Sequence, residues 1–526
     1  MSNAIESCDV LIIGGGIAGS GLARDLALRG VDSILIEKDD FGSGTTSKST
    51  RIIHGGIRYL ENLEFGLVRE GLRERSILLD VAPGLVKPLC FILPLYRGTS
   101  PGRWKIKLGM IAYDFLFINK ALPKHKFIGV NETLNRIPGL NPEGLVGAYV
   151  YYDAQVSMVE RLCLENVLSS ESAGCRVYNH CEVKELQVDG DEAKSASVKC
   201  NLTGKEWTIK SRIFVNCTGP WADEFLKSAT RVTSDKLLNV TKGVHLISSR
   251  LANDAIVLYS NKDGRLFFVI PWRNSSLIGT TDTPYASFVD SVTTDVGDVT
   301  YLLESMRRYF PGVELRCFAS YAGLRPLVRT NRSDPSKISR KYSIIQSRGV
   351  NNLLTMGGVK ITEYRSASEK AGNLVCQKLS QRAAGRTRNV RLIETENYHN
   401  LSQLYGNSIS SELLEYLVSL YGSKTRKIVD EIINDSSLLE KLCEHNPDVT
   451  GQVFYAMKSE HAKTISDFML RRTGIGFTEC KGIDALDRVA SMMADHLGWT
   501  DKEISFQKTK YVEYIKERDK ALGLAC

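Results

Sequence analysis

The chain has 526 residues, 43% of them hydrophobic, and its formal net charge at pH 7 is +8. This length suits about two to four domains with well-formed cores, and the mild charge, without an aromatic-interleaved basic motif, argues against a nucleic-acid partner. The twelve cysteines include no CxxC pair, so the sequence predicts no metal site, and reduced thiols in the cytoplasm are the simplest interpretation.

The first predicted element is a β–α–β unit over residues 9–37. Gly14, Gly16 and Gly19 form a GxGxxG fingerprint directly after a buried apolar strand, which places a pyrophosphate on the N-terminus of the following helix. Glu37 ends the second strand, where a carboxylate accepts hydrogen bonds from ribose hydroxyls and repels a 2′-phosphate. The unit therefore predicts a site for FAD or NAD rather than NADP.

Residues 41–75 form a polar, glycine-bearing loop that leads into an amphipathic helix, and loops at the carboxyl ends of sheet strands bind ligands. Apolar runs at 90–95 and 147–152 predict strands of another sheet. The chain then returns to the first sheet with a strand that ends before Thr218 and Gly219, where the lack of a side chain lets the backbone approach a ligand.

Residues 225–345 alternate between apolar strands and turns, which predicts a second, largely antiparallel sheet. A last strand, glycine turn and helix over residues 351–379 aim a second helix N-terminus at the cofactor. From about residue 400 onward glycine becomes rarer and helical periodicity dominates, so a separate helical domain is expected at the end of the chain.

Five segments resemble one family: TSKSTRIIHGGIRYLE from Thr46, VNCTGPWADEF from Val215, YAGLRPL from Tyr321, GGVKITEYR from Gly357 and YAMKSEHAKTISDFMLRRTGIGF from Tyr455. Together they resemble the FAD-dependent glycerol-3-phosphate dehydrogenases of the D-amino-acid-oxidase-like flavoprotein superfamily. The resemblance extends over nearly the whole chain. Two departures occur, because Val359 stands before Lys360 where the family usually has glycine, and Glu363 follows Thr362 where a second threonine is common.

The predicted fold class is α/β, in which a Rossmann-like FAD-binding domain is interleaved with a mainly antiparallel substrate domain and followed by a C-terminal all-helical cap domain. The boundaries are placed at 1–84, 150–224 and 346–385 for the FAD-binding domain, 85–149 and 225–345 for the substrate domain, and 395–526 for the cap.

The resemblance implies FAD as the cofactor, and noncovalent binding is expected because no cysteine or histidine has an attachment motif. The residues expected to contact FAD are Gly14, Gly16, Gly19, Glu37, Thr46, Ser47, His54, Val183, Thr218, Gly219, Gly358, Lys360 and Thr362. Only one dinucleotide fingerprint is present, so the electrons are expected to come from an organic substrate rather than from NAD(P)H on the same chain.

The oxidation of sn-glycerol 3-phosphate to dihydroxyacetone phosphate needs a base for the hydroxyl proton, a hydride acceptor and cations for the phosphate. His245, on a predicted strand of the substrate sheet, is the predicted base because an imidazole titrates near neutrality; a hydrogen-bonded core histidine is the alternative. Lys360 is the rival base, and it is expected to polarise the flavin or the substrate oxygen.

Arginines are the candidates for the substrate phosphate, because a guanidinium binds phosphate bidentately. Arg325 and Arg340 stand near predicted strand ends, although solvated surface charge is the alternative for each. The family resemblance implies that Arg58 and Tyr59 contact substrate, with packing of Tyr59 on the helix as the alternative.

Residues 97–126 combine seven Lys or Arg with one acid, Asp114, and with interleaved aromatic residues. This composition is typical of an interfacial anchor, whereas a packing helix with a solvated basic rim is the alternative. No apolar run of about 18 residues occurs, and the eight residues before Asp9 leave no room for a signal peptide unless one has been removed. We expect a cytoplasmic protein, peripheral on the inner face of the cell membrane, with a quinone or another membrane acceptor for the electrons and a homodimer among the possible assemblies.

Three other functions remain open at this point. One is an oxidase of the same superfamily that reduces dioxygen to hydrogen peroxide, and another is an FAD-dependent oxidoreductase of a hydroxy or amino acid, since arginines also bind carboxylates. The third is a flavin-binding protein without turnover, although His245, Arg325 and Lys360 together argue against it.

Overall fold

The computed structural model describes residues 5–56, 64–98, 102–116, 122–230, 236–329, 341–394 and 398–525. The predicted substrate residues Arg58, Tyr59 and Arg340 lie outside these ranges. The strands are β1 (Ile5–Ile13), β2 (Ser33–Ile36), β3 (Ile52–Ile53), β4 (Val86–Tyr96), β5 (Lys126–Ile128), β6 (Leu145–Val156), β7 (Arg176–Tyr178), β8 (Cys181–Asp189), β9 (Glu192–Cys200), β10 (Glu206–Asn216), β11 (Leu238–Ser249), β12 (Ala255–Tyr259), β13 (Leu266–Trp272), β14 (Ser275–Gly279), β15 (Thr283–Pro284), β16 (Cys317–Val328), β17 (Ser343–Gln346), β18 (Leu353–Gly357), β19 (Lys441–Cys443) and β20 (Asn446–Val449). The helices are α1 (Ile17–Leu28), α2 (Phe65–Val81), α3 (Arg103–Leu116), α4 (Val130–Arg136), α5 (Val159–Ser172), α6 (Ala222–Thr230), α7 (Val296–Tyr309), α8 (Tyr364–Lys378), α9 (Tyr398–Tyr405), α10 (Ser411–Tyr421), α11 (Thr425–Asn434), α12 (Thr450–Ser459), α13 (Ile465–Asp467), α14 (Leu486–Leu497) and α15 (Asp501–Ala525).

The first sheet holds the predicted nucleotide-binding unit. Its order is β17-β18-β10-β1-β2-β7, with β18, β10, β1, β2 and β7 parallel and β17 antiparallel at the edge. Strand β1 is apolar and buried on both faces from Val10 to Ile13, as expected for a parallel strand covered by helices. Helices α1, α5 and α8 contribute to its core, for example through Leu22, Val167 and Val375. The predicted Rossmann-like unit is therefore present.

The second sheet has the order β15-β11-β14-β13-β12-β4-β6-β3, with β16 paired to β11 and β5 paired to β6. Its pairings are antiparallel except for the parallel contact between β12 and β4. Side chains alternate along β11, so Val244 and Leu246 lie in one core cluster while Ile247 lies in another. This alternation directs His245 away from the face occupied by Val244 and Leu246.

The region after residue 398 is helical apart from the short β19–β20 pair, and the predicted fold class is confirmed. Its last helix, α15, returns to the second sheet, where the Ser320 amide donates to Asp519 at 3.0 Å and the Ser320 hydroxyl donates to the Arg518 carbonyl at 2.9 Å. The C-terminal region therefore reaches the element that carries Arg325. Within the described residues, no helix has both the length and the apolar character needed to cross a membrane.

The proposed domain boundaries stay a prediction, and the strand assignments bear on them. Strand β6 belongs to the second sheet and extends from Leu145 to Val156, across the boundary proposed at residue 150. Strand β17 belongs to the first sheet and begins at Ser343, before the boundary proposed at residue 346. In both places a strand continues across the proposed boundary.

Candidate active site

A single cavity of about 970 Å³ lies between the two sheets and is lined by residues from both, with Tyr514 of α15 at its edge. The predicted site residues that line it are Gly14, Gly16, Glu37, Thr46, His54, Val183, Thr218, Gly219, His245, Arg325, Gly358, Lys360 and Thr362. Gly19 and Ser47 are not among its lining residues. Residues separated by more than 300 positions in the sequence are thus brought into one space.

The glycine fingerprint forms one end of the cavity, and each of its glycines has its own structural reason. Gly14 has φ +104°, and a Cβ there would lie 2.7 Å from the carbonyl oxygen of Cys217. A Cβ on Gly16 would approach the Thr46 hydroxyl to 3.3 Å, whereas one on Gly19 would lie 1.9 Å from the Gly14 carbonyl oxygen. Gly19 therefore allows the helix to pack against the turn, and Gly14 allows the turn to approach the backbone at Cys217.

Glu37 lies beside this turn and is held by the backbone. One carboxylate oxygen accepts a hydrogen bond from the Gly15 amide at 2.6 Å, and the other accepts from the Asp39 amide at 2.9 Å. Burial raises the pKa of Glu37 to about 7. The carboxylate is fixed at the end of the parallel strand β2, which is the position that meets the ribose in dinucleotide sites.

The loop that follows β2 is tied to the start of α1. The Thr46 hydroxyl accepts a hydrogen bond from the Ile17 amide at 3.0 Å, so it satisfies one of the first amides of the helix. The Ser47 hydroxyl is turned into its own loop, where the carbonyl oxygens of Ser43 and Gly44 are its acceptors at 3.0 and 3.1 Å. The prediction that Ser47 contacts the cofactor therefore gains no support from its side chain.

Three returning segments complete the cofactor end. Val183 lines the cavity from β8, while Thr218 and Gly219 line it from the turn after β10. Both the Thr218 amide and hydroxyl donate to the Asn216 side chain, at 3.1 and 2.7 Å. Gly219 and Gly358 have φ values of +63° and +73°, so the chain turns sharply at both places.

Lys360 lines the cavity although Val359 precedes it. The Val359 side chain packs against the core of the first sheet, and both Val359 and Lys360 are among the residues that line the cavity. The Lys360 ammonium donates to Glu363 at 3.1 Å, and burial raises the pKa of Glu363. Thr362 accepts a hydrogen bond from the His54 amide at 3.2 Å and so joins this turn to the loop after β3.

His245 projects from β11 into the other end of the cavity. Its Nε2 is 3.0 Å from the Thr50 hydroxyl, and its ring lies 5.0 Å from the ring of Tyr321. Nδ1 is buried and has no hydrogen-bond partner among the described residues. Burial holds the pKa of His245 well below its ordinary value, and the charges of Arg325 and Arg51 lower it further. The ring is therefore neutral at pH 7, and titration near neutrality, expected from the residue type, does not apply in this environment.

Arg325 lies on β16 opposite Thr241, four residues before His245 on β11. Its guanidinium donates to Asp282 at 3.1 Å and to the Thr280 hydroxyl at 2.7 Å, and a Cβ on Gly243 would lie 2.2 Å from it. Arg265 lines the same cavity and lies 3.4 Å from the other oxygen of Asp282. Two guanidinium groups thus share one carboxylate, and Arg265 also lies 3.6 Å from Asp263.

Several cavity residues were not singled out from the sequence. Thr50 and Lys48 lie within the family-like segment after Thr46, so the segment itself contained a signal. No sequence pattern pointed to Arg265 or Tyr514. The Lys48 ammonium donates to the Tyr514 hydroxyl at 2.8 Å, and although burial raises the pKa of Tyr514, the charges of Lys48, Arg518 and Arg471 together lower it.

The arrangement fits FAD at several points. Close-packed glycines leave room beside a helix N-terminus, a buried carboxylate stands at the end of β2, and the cavity continues from there to a buried imidazole whose Nδ1 lacks a protein partner. A dinucleotide at the first end would extend toward the second.

Comparisons with known proteins agree with this geometry. The family model "FAD dependent oxidoreductase" matches residues 9–359, and the model "C-terminal domain of alpha-glycerophosphate oxidase" matches residues 385–504. A protein named glycerol-3-phosphate dehydrogenase from Synechocystis is 36% identical over 97% of this chain and 96% of its own length. An aerobic glycerol-3-phosphate dehydrogenase from Staphylococcus aureus is 30% identical over 97% of this chain and 95% of its own length.

Among solved structures, the glycerol-3-phosphate dehydrogenase from Bacillus halodurans complexed with FAD superposes with a TM-score of 0.81 at 26% identity. That match covers 98% of this chain and 95% of that chain. A glycerophosphate oxidase from Mycoplasma pneumoniae with FAD bound has a TM-score of 0.55 at 17% identity over 72% of this chain and 96% of that chain, which shows likeness of fold alone.

Proposed function

The chain belongs to the family of FAD-dependent glycerol-3-phosphate dehydrogenases, and from that premise we propose that it oxidises sn-glycerol 3-phosphate to dihydroxyacetone phosphate and passes the electrons to a quinone. Its cofactor is FAD. The observation that carries the proposal is one cavity with a glycine turn and Glu37 at one end and with His245 and Arg325 at the other. Such a cavity holds a dinucleotide and an anionic alcohol side by side.

Bound FAD supplies the hydride acceptor. His245 is proposed to take the hydroxyl proton, because it lines the cavity and its low pKa keeps the ring neutral at pH 7. The Thr50 hydroxyl, 3.0 Å from Nε2, fixes the ring. A low pKa also makes the imidazole a weaker base, so the positive charges nearby must stabilise the developing alkoxide.

Arg325 is proposed to bind the substrate phosphate together with Arg265. The two guanidinium groups share Asp282, which holds both of them at the cavity wall, where a guanidinium can bind a phosphate bidentately. Lys360 is proposed to stabilise negative charge near the reacting atoms, with Glu363 orienting its ammonium. For Arg58, Tyr59 and Arg340, contact with substrate stays a prediction.

Helix α3 supports a peripheral position on a membrane. Trp104, Leu108, Ile111 and Phe115 recur at helical spacing on one exposed face, with Trp104 73% and Phe115 89% exposed. The opposite face packs into the core through residues such as Met110. Neither a fully buried packing helix nor an ordinary solvated face has this pattern.

Basic residues flank that apolar face. Lys105 and Lys107 are exposed, and the Lys107 ammonium lies 5.2 Å from the Trp104 ring. We propose that this face enters the headgroup region of an anionic membrane, such as the inner face of the cell membrane, where a quinone is within reach.

Sedimentation with anionic vesicles tests the membrane part of the proposal. Lys105→Glu together with Lys107→Glu removes attraction of about 1 kcal/mol per basic residue, so binding at low salt should fall by more than tenfold. Lys205→Glu together with Lys210→Glu makes the same charge change on exposed residues of the β9–β10 hairpin and should bind as the wild type does. Wild-type protein that remains in the supernatant at low salt would contradict the proposal.

Anaerobic bleaching of the flavin by a panel of phosphorylated and carboxylated alcohols tests the substrate, and glycerol 3-phosphate should bleach it fastest. The rates at which different acceptors reoxidise the reduced flavin then identify the electron acceptor. Fast reoxidation by a quinone in vesicles and slow reoxidation in air are expected, whereas the reverse order and hydrogen peroxide would indicate an oxidase. The homodimer stays a prediction, which light scattering after gel filtration checks.

A further inference from the structure

Four side chains with metal-binding chemistry converge in the C-terminal region, apart from the cavity. Cys443 ends β19, His445 lies in the turn before β20, and Cys480 and Asp484 lie in the segment that leads into α14. One donor atom from each residue lies within 4.8 Å of the other three. None of the four lines the active-site cavity.

The separations within this group match a small coordination shell. The sulfur atoms of Cys443 and Cys480 are 3.4 Å apart, and the Cys480 sulfur lies 3.1 Å from an Asp484 carboxylate oxygen. His445 Nδ1 is 3.9 Å from the Cys443 sulfur and 3.9 Å from the other Asp484 oxygen. Around a tetrahedral zinc ion, with bonds of about 2.0–2.3 Å, neighbouring donors lie roughly 3.3–3.8 Å apart.

We propose that Cys443, His445, Cys480 and Asp484 bind a zinc ion in a structural site. Two thiolates, an imidazole and a carboxylate are ligands that zinc accepts in tetrahedral geometry, and thiolates disfavour magnesium and calcium. All four positions of the tetrahedron are filled by protein, as in structural rather than catalytic zinc sites. Cys443 is buried while His445 and Asp484 are exposed, so the site has both an anchor in the core and an entry path.

The surroundings of Cys480 orient its sulfur. The Gly482 amide donates to it at 3.4 Å, and the Thr478 hydroxyl is 3.1 Å away. Lys481 and Gly482 both have positive φ, which turns the chain so that this amide faces back toward the sulfur. Amide hydrogen bonds to a ligating sulfur are typical outer-shell contacts of metal sites.

A second group of possible ligands shows what a purely ionic cluster looks like. Asp40, His180 and Asp467 also lie close together, but Arg471 and Arg472 pair with the two carboxylates. That cluster is neutralised by protein cations and has no need of a metal. Among the described residues, no lysine or arginine pairs with Asp484, so the Cys480 group lacks such compensation.

The proposed zinc joins the β19–β20 turn to the segment before α14. These two parts of the chain are separated by more than 30 residues, and a bound ion would fix them without a larger core. The sequence predicted no zinc site because the ligands follow C-x-H and C-x-x-x-D spacings rather than CxxC. A role in holding the C-terminal region together needs no contact with substrate.

Metal analysis of the holoenzyme, purified without a histidine tag or chelator, tests the proposal. About one zinc ion per chain is expected in the wild type and in Cys200→Ser, a control thiol on β9, and less than about a tenth of that in Cys480→Ser. Reconstitution with cobalt should give the visible bands of a tetrahedral thiolate site at the red end of the spectrum, where oxidised flavin does not absorb. FAD content reports folding.

A second variant and a chelator experiment test the proposal if Cys480→Ser is unstable. Asp484→Asn should keep the fold but bind zinc more weakly by about 10–100-fold, and a chelator should lower the Tm of the wild type by several degrees while leaving that of a zinc-depleted sample unchanged. The proposal would be overturned if the wild type contained no zinc or if Cys480→Ser retained zinc. A Cys443–Cys480 disulfide found by peptide mapping without reduction would also overturn it.

Discussion

The two ends of the cavity are built differently. At the cofactor end the chain itself defines the shape, through glycines such as Gly14, whose φ of +104° and contact with the Cys217 carbonyl leave no room for a side chain. At the substrate end the shape comes from polar side chains held by other side chains, such as Arg325 on Asp282 and His245 on Thr50. The shape of the first end is therefore set by the backbone, although Glu37 there has a pKa of about 7, whereas the shape of the second end depends on the charge and protonation of a few side chains.

The largest effect should come from His245. His245→Asn keeps a polar group of similar reach but removes the base, so anaerobic flavin reduction by glycerol 3-phosphate should slow by about 10²–10⁴-fold while FAD content stays the same. Stopped-flow absorbance measures the rate. His125→Asn, which changes a histidine paired with Asp114 outside the cavity, should reduce its flavin normally. Equal rates in His245→Asn and wild type would instead leave Lys360 as the base, which Lys360→Met would then reveal.

A substitution at the cofactor end should instead lower the affinity for FAD. Gly14→Ala forces a Cβ to within 2.7 Å of a backbone oxygen, so FAD affinity should fall by about 100-fold and the protein should purify largely as apoprotein. Gly30→Ala is the matched control, because Gly30 also has positive φ, +77°, but has no atom within 4 Å of the added Cβ. It should lose only about 1–2 kcal/mol of stability and keep FAD. Equal FAD loss in both variants would show that backbone strain, rather than the contact with Cys217, causes the effect.

Arg325→Ala should weaken substrate binding without affecting FAD. The lost charge-assisted contact is worth about 1.5–3 kcal/mol, which raises the substrate Kd by roughly 10–150-fold, and Arg325→Lys should recover only part. Arg136→Ala is the control, because Arg136 is paired with Asp254 at similar exposure outside the cavity. Titration of flavin absorbance with substrate measures both. An unchanged Kd in Arg325→Ala would remove Arg325 from the phosphate site.

The contrast between the ends also explains what the sequence could predict. The glycine spacing and Glu37 are local, and the strand–turn–helix pattern around them is short, so the strand, turn and helix at that end could be predicted from the sequence. At the substrate end the sequence identified His245 and Arg325 as residue types, but not their partners. Thr50 and Asp282 are about 195 and 43 residues away from them, and no local pattern predicts such pairs.

The same limit applies to whole elements. The two sheets and the helical end of the chain follow from hydrophobic periodicity, so the fold class was predictable. The return of α15 to the cavity, where Tyr514 meets Lys48, was not, because its contact partner lies more than 460 residues earlier in the chain. Strand ends were also uncertain, as β6 and β17 illustrate.

The pH dependence of the reduction step gives the smallest and most specific prediction. Burial, followed by the charges of Arg325 and Arg51, holds the pKa of His245 well below 6.5, so the ring is already neutral at pH 6.5 and the rate should not change from there to pH 8. An acid limb should appear only well below pH 6.5, where the ring becomes protonated. Below pH 6.5 the histidine of the unfolded chain is protonated, whereas the buried ring of the folded protein is not. The free energy of unfolding should therefore fall as the pH falls below 6.5.

Arg325→Gln sharpens this prediction because it removes one of the charges that lower the pKa. The acid limb of the rate–pH profile should then move toward higher pH. It should stay below pH 6.5, because burial, which lowers the pKa of His245 more than the charges do, is unchanged. The substrate phosphate also titrates near pH 6, so the rate must be read at saturating substrate and compared with His245→Asn, in which a limb due to the phosphate would remain and one due to the imidazole would vanish. A wild-type limb centred at or above pH 6.5, or one that Arg325→Gln does not move, would mean that the charges at this end do not set the protonation of His245, and the distinction between the two ends would lose its chemical basis.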